Sequence, residues 1–183
     1  MKKRLFIGTK VTLPNDEFFL IKNEIASLGI EGNWVKPENL HFTFRFLGDV
    51  FSSSVYELGK SIKNSVSCLS SREVVLKGLG VFPDVKTARV LWVGVEGDLA
   101  DIKTAVDGAL EPFSFEKEKR KFRPHVTLMR IKKLRHRTKF SYFLSKMSDK
   151  EFLEMEVRQI SLIESVLTSE GPLYKPLKVV DLR

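Results

Sequence analysis

The chain has a single thiol, Cys68. That excludes an intramolecular disulfide and any thiolate metal cage drawn from this chain, and a reducing cytoplasm is the expected setting. Long apolar runs are missing too: nothing approaches the roughly 20 residues of a membrane-spanning helix, so no membrane partner is expected. The opening Met1-Lys2-Lys3-Arg4 looks like the basic start of a secretion signal. Leu5-Phe6-Ile7-Gly8 gives way at once to Thr9, Lys10 and Thr12, however, which is far short of a signal core. Acidic residues are in short supply, 23 against 31 Lys and Arg, and the resulting charge of +8 favours polyanionic partners or simply aids solubility. Histidine is scarcest of the titratable types apart from the lone cysteine, with 3 residues beside 3 tyrosines.

What is present suffices for a folded core. With 43% hydrophobic, 30% charged and 10% aromatic residues in 183, the chain can offset its ordering entropy, and one folding unit is expected, although two half-size lobes sharing a cleft fit the length equally.

The order of elements repeats. A strand from Arg4 to Val11 precedes a helix from Asp16, where Phe19, Leu20, Ile25 and Leu28 recur at helical spacing up to Gly29. A strand from Leu40 to Leu47, closed by Gly48-Asp49, leads to a helix through Val66 with Val55, Leu58, Ile62 and Val66 on one face, then a strand from Glu73 to Val81. The second half gives strand Arg89 to Val95, helix Leu99 to Leu110, strand His125 to Ile131, helix Phe140 to Met147 and strand Glu156 to Leu167. A closing hairpin follows near Gly171-Pro172. The opening strands start 85 positions apart (89 − 4) and two of the histidines lie 84 apart (125 − 41). Such a constant offset is the mark of duplication, so two related α+β lobes are expected. The charged run Glu116 to Lys121 reads as a solvated loop.

Those two histidines open matching motifs, His41-Phe42-Thr43-Phe44 and His125-Val126-Thr127-Leu128. Alternation along a strand puts His41, Thr43 and Arg45 on one face and Phe42, Phe44 and Phe46 on the other, while His125 and Thr127 oppose Val126 and Leu128. If a two-fold relates the lobes, the polar faces meet across a cleft. Neutral imidazole accepts a proton, imidazolium gives one, and threonine hydroxyls donate to phosphate oxygens, so the set suits acid–base chemistry on a phosphoryl group. A metal centre is not expected, because no Cys, Asp or Glu shares those faces and threonine ligates zinc poorly. His136, in Lys132-Lys133-Leu134-Arg135-His136-Arg137, is expected to be exposed or to face RNA without a catalytic role.

With these residues in view, the sequence resembles the 2H phosphoesterase superfamily, and within it the bacterial and archaeal RNA 2′,3′-cyclic phosphodiesterases, or 2′-5′ RNA ligases. The resemblance runs through Arg4-Leu5-Phe6-Ile7, Trp34 to Thr43, Phe46-Leu47-Gly48, Gly80-Val81-Phe82-Pro83, Arg89-Val90-Leu91-Trp92 and Phe122 to Arg130. Ser165, Gly171 and Tyr174 extend it to the C-terminal part. It implies an α+β fold of two pseudo-two-fold-related lobes, each an antiparallel sheet with helices on its outer face, and an active-site cleft between them. The expected domain is a single bilobal unit over 1–183, with lobes at about 1–83 and 84–183 and terminal segments open to exchange between them.

The resemblance also implies metal-independent hydrolysis of RNA 2′,3′-cyclic phosphate ends to 2′-phosphates, with no cofactor. Substrates would include tRNA fragments, and a cytoplasmic monomer is expected. His125 is assigned as proton acceptor and His41 as proton donor, with Thr43 and Thr127 donating to the nonbridging oxygens. Arg130 matches an arginine that sits near the phosphate in the family, but strict strand parity puts it on the wrong face, so the strand must end or bulge first. Arg45 has the right parity for substrate and is equally readable as a surface arginine. Phe6, Trp34 and Phe122 could stack on a base or pack in the core. Two other outcomes stay open: 2′-5′ ligation at the same site, and a module that binds RNA ends or 2′-5′ oligonucleotides without turnover.

Overall fold

In the computed structural model, which describes residues 1–169 and 171–183, α-helices are interspersed among the strands along the chain. They are β1 (Lys2–Lys10), α1 (Asn15–Ser27), β2 (Glu31–Trp34), β3 (His41–Phe51), α2 (Val55–Val66), β4 (Arg72–Phe82), β5 (Val90–Glu96), α3 (Ala100–Leu110), β6 (His125–Lys133), α4 (Arg137–Lys146), β7 (Glu151–Val157), β8 (Gln159–Thr168) and β9 (Gly171–Asp181). Two departures from the sequence reading have physical causes. β2, Glu31-Gly32-Asn33-Trp34, is too short and polar to show a pattern, and it forms because it can pair with β6. The strand expected from Glu156 to Leu167 is instead two strands. At Arg158 the chain leaves its pairing with β4 and takes up pairing with β1, and no glycine or proline marks the crossing.

All strand pairs are antiparallel, in the order β7-β4-β5-β6-β3-β1-β8-β9. Outward from the centre, one arm runs β6-β5-β4-β7 and the other β3-β1-β8-β9. The strands that carry the two motifs (β6, β3), open the duplicated halves (β5, β1) and lie third from the centre (β4, β8) therefore take equivalent places, as an approximate two-fold requires. The arms join at one paired position, Phe42 opposite Val126, the second residue of each motif. β4 belongs to the first half of the chain yet pairs with β5, and β8 belongs to the second half yet pairs with β1, so each arm contains strands of both halves. The sheet is strongly curled into a half-barrel, and the fold is α+β as the sequence implied.

Burial follows from these places. β1 lies between β3 and β8, and Leu5 through Thr9 are all buried, as expected for a strand covered on both faces. β1 can run this close to the first motif because residue 8 is glycine: a Cβ there would stand 2.5 Å from the Phe42 carbonyl oxygen. α2 buries Leu58, Ile62 and Val66, the face read from the sequence, and packs on β9 and α3. α1 differs. Its buried residues are Phe18, Ile21 and Ile25, an i, i+3, i+7 stripe, whereas Phe19 is 56% exposed and Leu20 is exposed as well. The expected stripe mixed two faces of that helix. Each fully buried core side chain contributes roughly 1.5–3 kcal/mol of transfer free energy.

Candidate active site

His41 and His125 are the first residues of β3 and β6, and each is held by the backbone two residues earlier. His41 Nδ1 lies 2.6 Å from the Asn39 carbonyl oxygen and His125 Nδ1 lies 2.7 Å from that of Arg123. A carbonyl oxygen only accepts, so Nδ1 carries the hydrogen in both rings. In the neutral form Nε2 is then the basic nitrogen of each. The two imidazoles thus share one tautomer, set by equivalent backbone.

Aromatic rings fix their planes, again in matching fashion. His41 lies against Phe6 (centroids 4.8 Å apart, tilted) and Tyr174 (4.8 Å, edge-on). His125 lies against Phe82 (4.9 Å, edge-on) and Trp92 (6.0 Å, tilted). Trp92 reaches this place because residue 80 is glycine: a Cβ there would stand 2.2 Å from the indole ring.

Beyond the motifs both strands bulge at the same point. Gly8 pairs with Thr43 and Ile7 with Arg45, leaving Phe44 unopposed, while Trp92 pairs with Thr127 and Leu91 with Met129, leaving Leu128 unopposed. An extra residue reverses the side-chain alternation after it. Arg130 is carried to the cleft by this bulge, the one its position in the sequence demanded, and it lines the cleft with His41, Thr43, His125 and Thr127. The same bulge corrects two other expectations. Phe46, expected in the core with Phe42 and Phe44, is 68% exposed and lines the cleft. Arg45, expected on the cleft face, is buried behind it. Its guanidinium donates to the Glu116 carbonyl and lies 3.6 Å from both Asp107 and Glu118.

The cleft encloses about 1430 Å³. Six of its described lining residues are cationic (Lys36, Arg89, Arg120, Lys121, Arg123, Arg130) and one, Glu118, is acidic, a balance that attracts a polyanion. The charged run 116–121 is exposed as expected, yet it forms part of this rim. Among the base-stacking candidates, Phe6 is buried, whereas Trp34 and Phe122 are half-buried and line the cleft, Trp34 edge-on to Phe18 at 5.6 Å and Phe122 stacked on Phe44 at 5.7 Å. His136 lies outside the cleft lining, at the start of α4. Among the described residues no three His, Cys, Asp or Glu side chains gather into a group that could hold a metal ion.

Burial and neighbouring charge both act on His41. Burial is the largest influence on His41 and lowers its pKa below the ordinary 6.5. The Asn39 carbonyl works in the opposite direction, and the charges of His125 and Arg130 press it down further. Tyr174, whose phenol burial pushes up, also feels the charges of Arg130 and Arg4. His41, His125, Arg130 and Tyr174 therefore act on one another across a single cleft.

Residues 15–182 match the family model described as the AKAP7 2′5′ RNA ligase-like domain. The chain belongs to this family of 2H phosphoesterases. Proteins named RNA 2′,3′-cyclic phosphodiesterase are similar to it in Aquifex aeolicus, with 41% identity over 93% of both chains, and in Aeropyrum pernix, with 39% identity over 86% of this chain and 90% of the relative. Among solved structures, TT0787 of Thermus thermophilus superimposes with a TM-score of 0.80 at 24% identity, covering 98% of each chain. E. coli LigT complexed with 3′-AMP superimposes with 0.73 at 21% identity, covering 100% of this chain and 99% of that one. At that identity the superpositions speak to the fold of this 2H phosphoesterase alone.

Proposed function

We propose that this 2H phosphoesterase hydrolyses 2′,3′-cyclic phosphate ends of RNA to 2′-phosphomonoesters without a metal, using His41, His125, Thr43, Thr127 and Arg130. The observation that carries this reading is the pair of imidazoles, each held by Nδ1 on an equivalent carbonyl and each left with Nε2 for proton transfer in one basic cleft. The names of the relatives in Aquifex and Aeropyrum supply the substrate class.

In the reaction, water attacks phosphorus in line with the 3′ oxygen. A new P–O bond forms to the water oxygen as the P–O3′ bond breaks, leaving the phosphate on the 2′ oxygen. His125 Nε2 takes the proton from water and His41 Nε2 gives one to the departing 3′ oxygen. Thr43 and Thr127 donate to the nonbridging oxygens, and Arg130 balances the charge gathering there. The lowered pKa of His41 suits the donor role, because a less basic imidazole gives up its proton more readily. The substrate's negative charge favours the protonated ring once it binds. Arg45 has no part in holding substrate, since its guanidinium is turned away from the cleft.

A 5′-hydroxyl replacing water in the same step would form a 2′-5′ bond, so ligation needs no further residue. The cationic rim suits RNA substrates longer than a mononucleotide, tRNA fragments among them. A monomer in the cytoplasm accords with this reading.

Hydrolysis of adenosine 2′,3′-cyclic phosphate in EDTA, with the product identified by chromatography, tests the proposal. Adenosine 2′-phosphate is the expected product, and His41→Ala or His125→Ala lowers kcat by about 10²–10⁴. Formation of the 3′-phosphate, loss of turnover in EDTA, or full activity in either variant contradicts it. Tight binding of RNA ends with no turnover would instead select the binding-module reading.

A further inference from the structure

A smaller recess of about 280 Å³ lies along β1, β8 and β9, and it shares with the cleft the wall formed by Asn39, His41 and Tyr174. Among its described lining residues Lys10 is the one cation and Glu38 the one acid. Lys10 is the register partner of His41 across β1 and β3, so the two side chains share a face; Ser161, paired with Gly8 two residues away, shares it too. The second arm has no equivalent cation, because the partner of His125 is Gly94. A positive charge therefore flanks one imidazole and not the other.

Stereochemistry decides what reaches this recess. In the hydrolysis proposed above, the 3′ oxygen departs toward His41. It is borne by C3′, whose neighbour C4′ carries C5′ and the rest of the RNA, whereas the base hangs from C1′ beside C2′. The RNA therefore runs away from the reacting phosphorus on the His41 side, where the recess lies, and not on the His125 side, where water enters. The recess is furnished for what arrives. One ammonium suits a single phosphodiester, the Glu38 carboxylate and Ser161 hydroxyl accept from sugar hydroxyls or base amino groups, and Ile163, Pro176 and Val179 supply apolar lining.

We propose that this recess binds the nucleotide that precedes the cyclic phosphate end, with Lys10 holding the phosphodiester that joins the last two nucleotides. This rests on the cyclic phosphodiesterase reading above, with His41 as the proton donor. The preferred substrate is then an RNA end at least two nucleotides long, entering from the β9 side of His41.

The test compares kcat/KM for adenosine 2′,3′-cyclic phosphate, the same compound carrying a 5′-methylphosphate, and the dinucleotide adenylyl-adenosine 2′,3′-cyclic phosphate. The unsubstituted protein is expected to prefer them in that rising order. Lys10→Met is expected to lower the preference for the methylphosphate over the first substrate about threefold, the scale of one exposed ion pair. It should also reduce the salt dependence of KM for the methylphosphate by about 0.7 log–log unit, the loss of one phosphate contact on a single strand. Lys10→Arg is expected to keep both. Ser161→Leu, which narrows the recess, is expected to remove the further preference for the dinucleotide over the methylphosphate. A dinucleotide turned over no better than the mononucleotide by the unsubstituted protein, or equal losses on all three substrates or unchanged preferences in Lys10→Met, overturn the recess as a nucleotide site while leaving the activity reading intact. Failure of the unsubstituted protein to turn over any of the three overturns the activity reading itself.

Discussion

The Asn39 side chain joins the first motif to the edge strand of its own arm: its Nδ2 donates to the Pro172 carbonyl oxygen at 2.9 Å, while its own backbone carbonyl holds His41 Nδ1. Pro172 lies two residues before Tyr174, the ring set edge-on to His41. One residue therefore fixes both the tautomer of His41 and the hairpin that covers it. Asn39→Ala removes the side-chain bond and keeps the carbonyl. Because the bond is exposed, stability should fall by about 0.5 kcal/mol, the low end for a hydrogen bond. The larger effect is on His41: as Tyr174 loosens, burial relaxes and the His41 pKa rises toward 6.5, which NMR titration of the ring Cε1–H reads directly. An unmoved His41 titration would show that the hairpin does not govern its environment.

Arg45 and Arg130 should respond oppositely to the same substitution. Arg130 faces the cleft, so Arg130→Met is expected to lower the salt dependence of KM by about one unit of log–log slope. Arg45 is turned away from the cleft toward Asp107, the Glu116 carbonyl and Glu118 at the cleft rim, and Lys103 shares both carboxylates. Arg45→Met leaves those carboxylates with Lys103 alone and should cost about 1–3 kcal/mol of stability, with no change in the salt slope. Thermal unfolding and KM at several salt concentrations separate the two outcomes.

The lowered pKa of His41 has a definite sign in both stability and catalysis. Between its folded pKa and 6.5 the unfolded chain binds a proton that the folded chain does not, so this residue's contribution to stability is full above 6.5 and is lost as pH falls through that window. Catalysis runs the other way. As proton donor, His41 must be charged, so kcat/KM should fall with rising pH along a limb centred below 6.5. Its midpoint should move up in Asn39→Ala. A falling limb centred above 6.5 would contradict the donor assignment.

The donor role can also be isolated through the leaving group. A 4-nitrophenolate departs without protonation, so on bis(4-nitrophenyl) phosphate His41→Ala should lose far less than on adenosine 2′,3′-cyclic phosphate. His125→Ala should lose heavily on both. Reversed sensitivities would exchange the two roles.

The site was legible where chemistry repeats and hidden where geometry intervenes. His41 and His125 stood out because two of three histidines head matching motifs at a constant offset, and the palindromic strand order follows from the same duplication. Phe46 and Arg45 were assigned to the wrong faces because strand parity fails across a bulge that leaves no glycine or other local mark. The clue lay in the other copy, where Arg130 reaches the cleft only through a bulge, and the same offset applied to residue 130 points to Phe46. Asn39 and Arg123 act through backbone carbonyls, which no side-chain reading reveals. The crossing at Arg158 and the short β2 are set by pairing partners distant in sequence.

The central claim is that both imidazoles serve one phosphoryl group. Titrating the protein with adenosine 2′-phosphate while following the His41 and His125 Cε1–H resonances tests it most directly. The account predicts that both move together, with one dissociation constant and one equivalent of ligand. Movement of one ring alone, or of the two with different affinities, would contradict it.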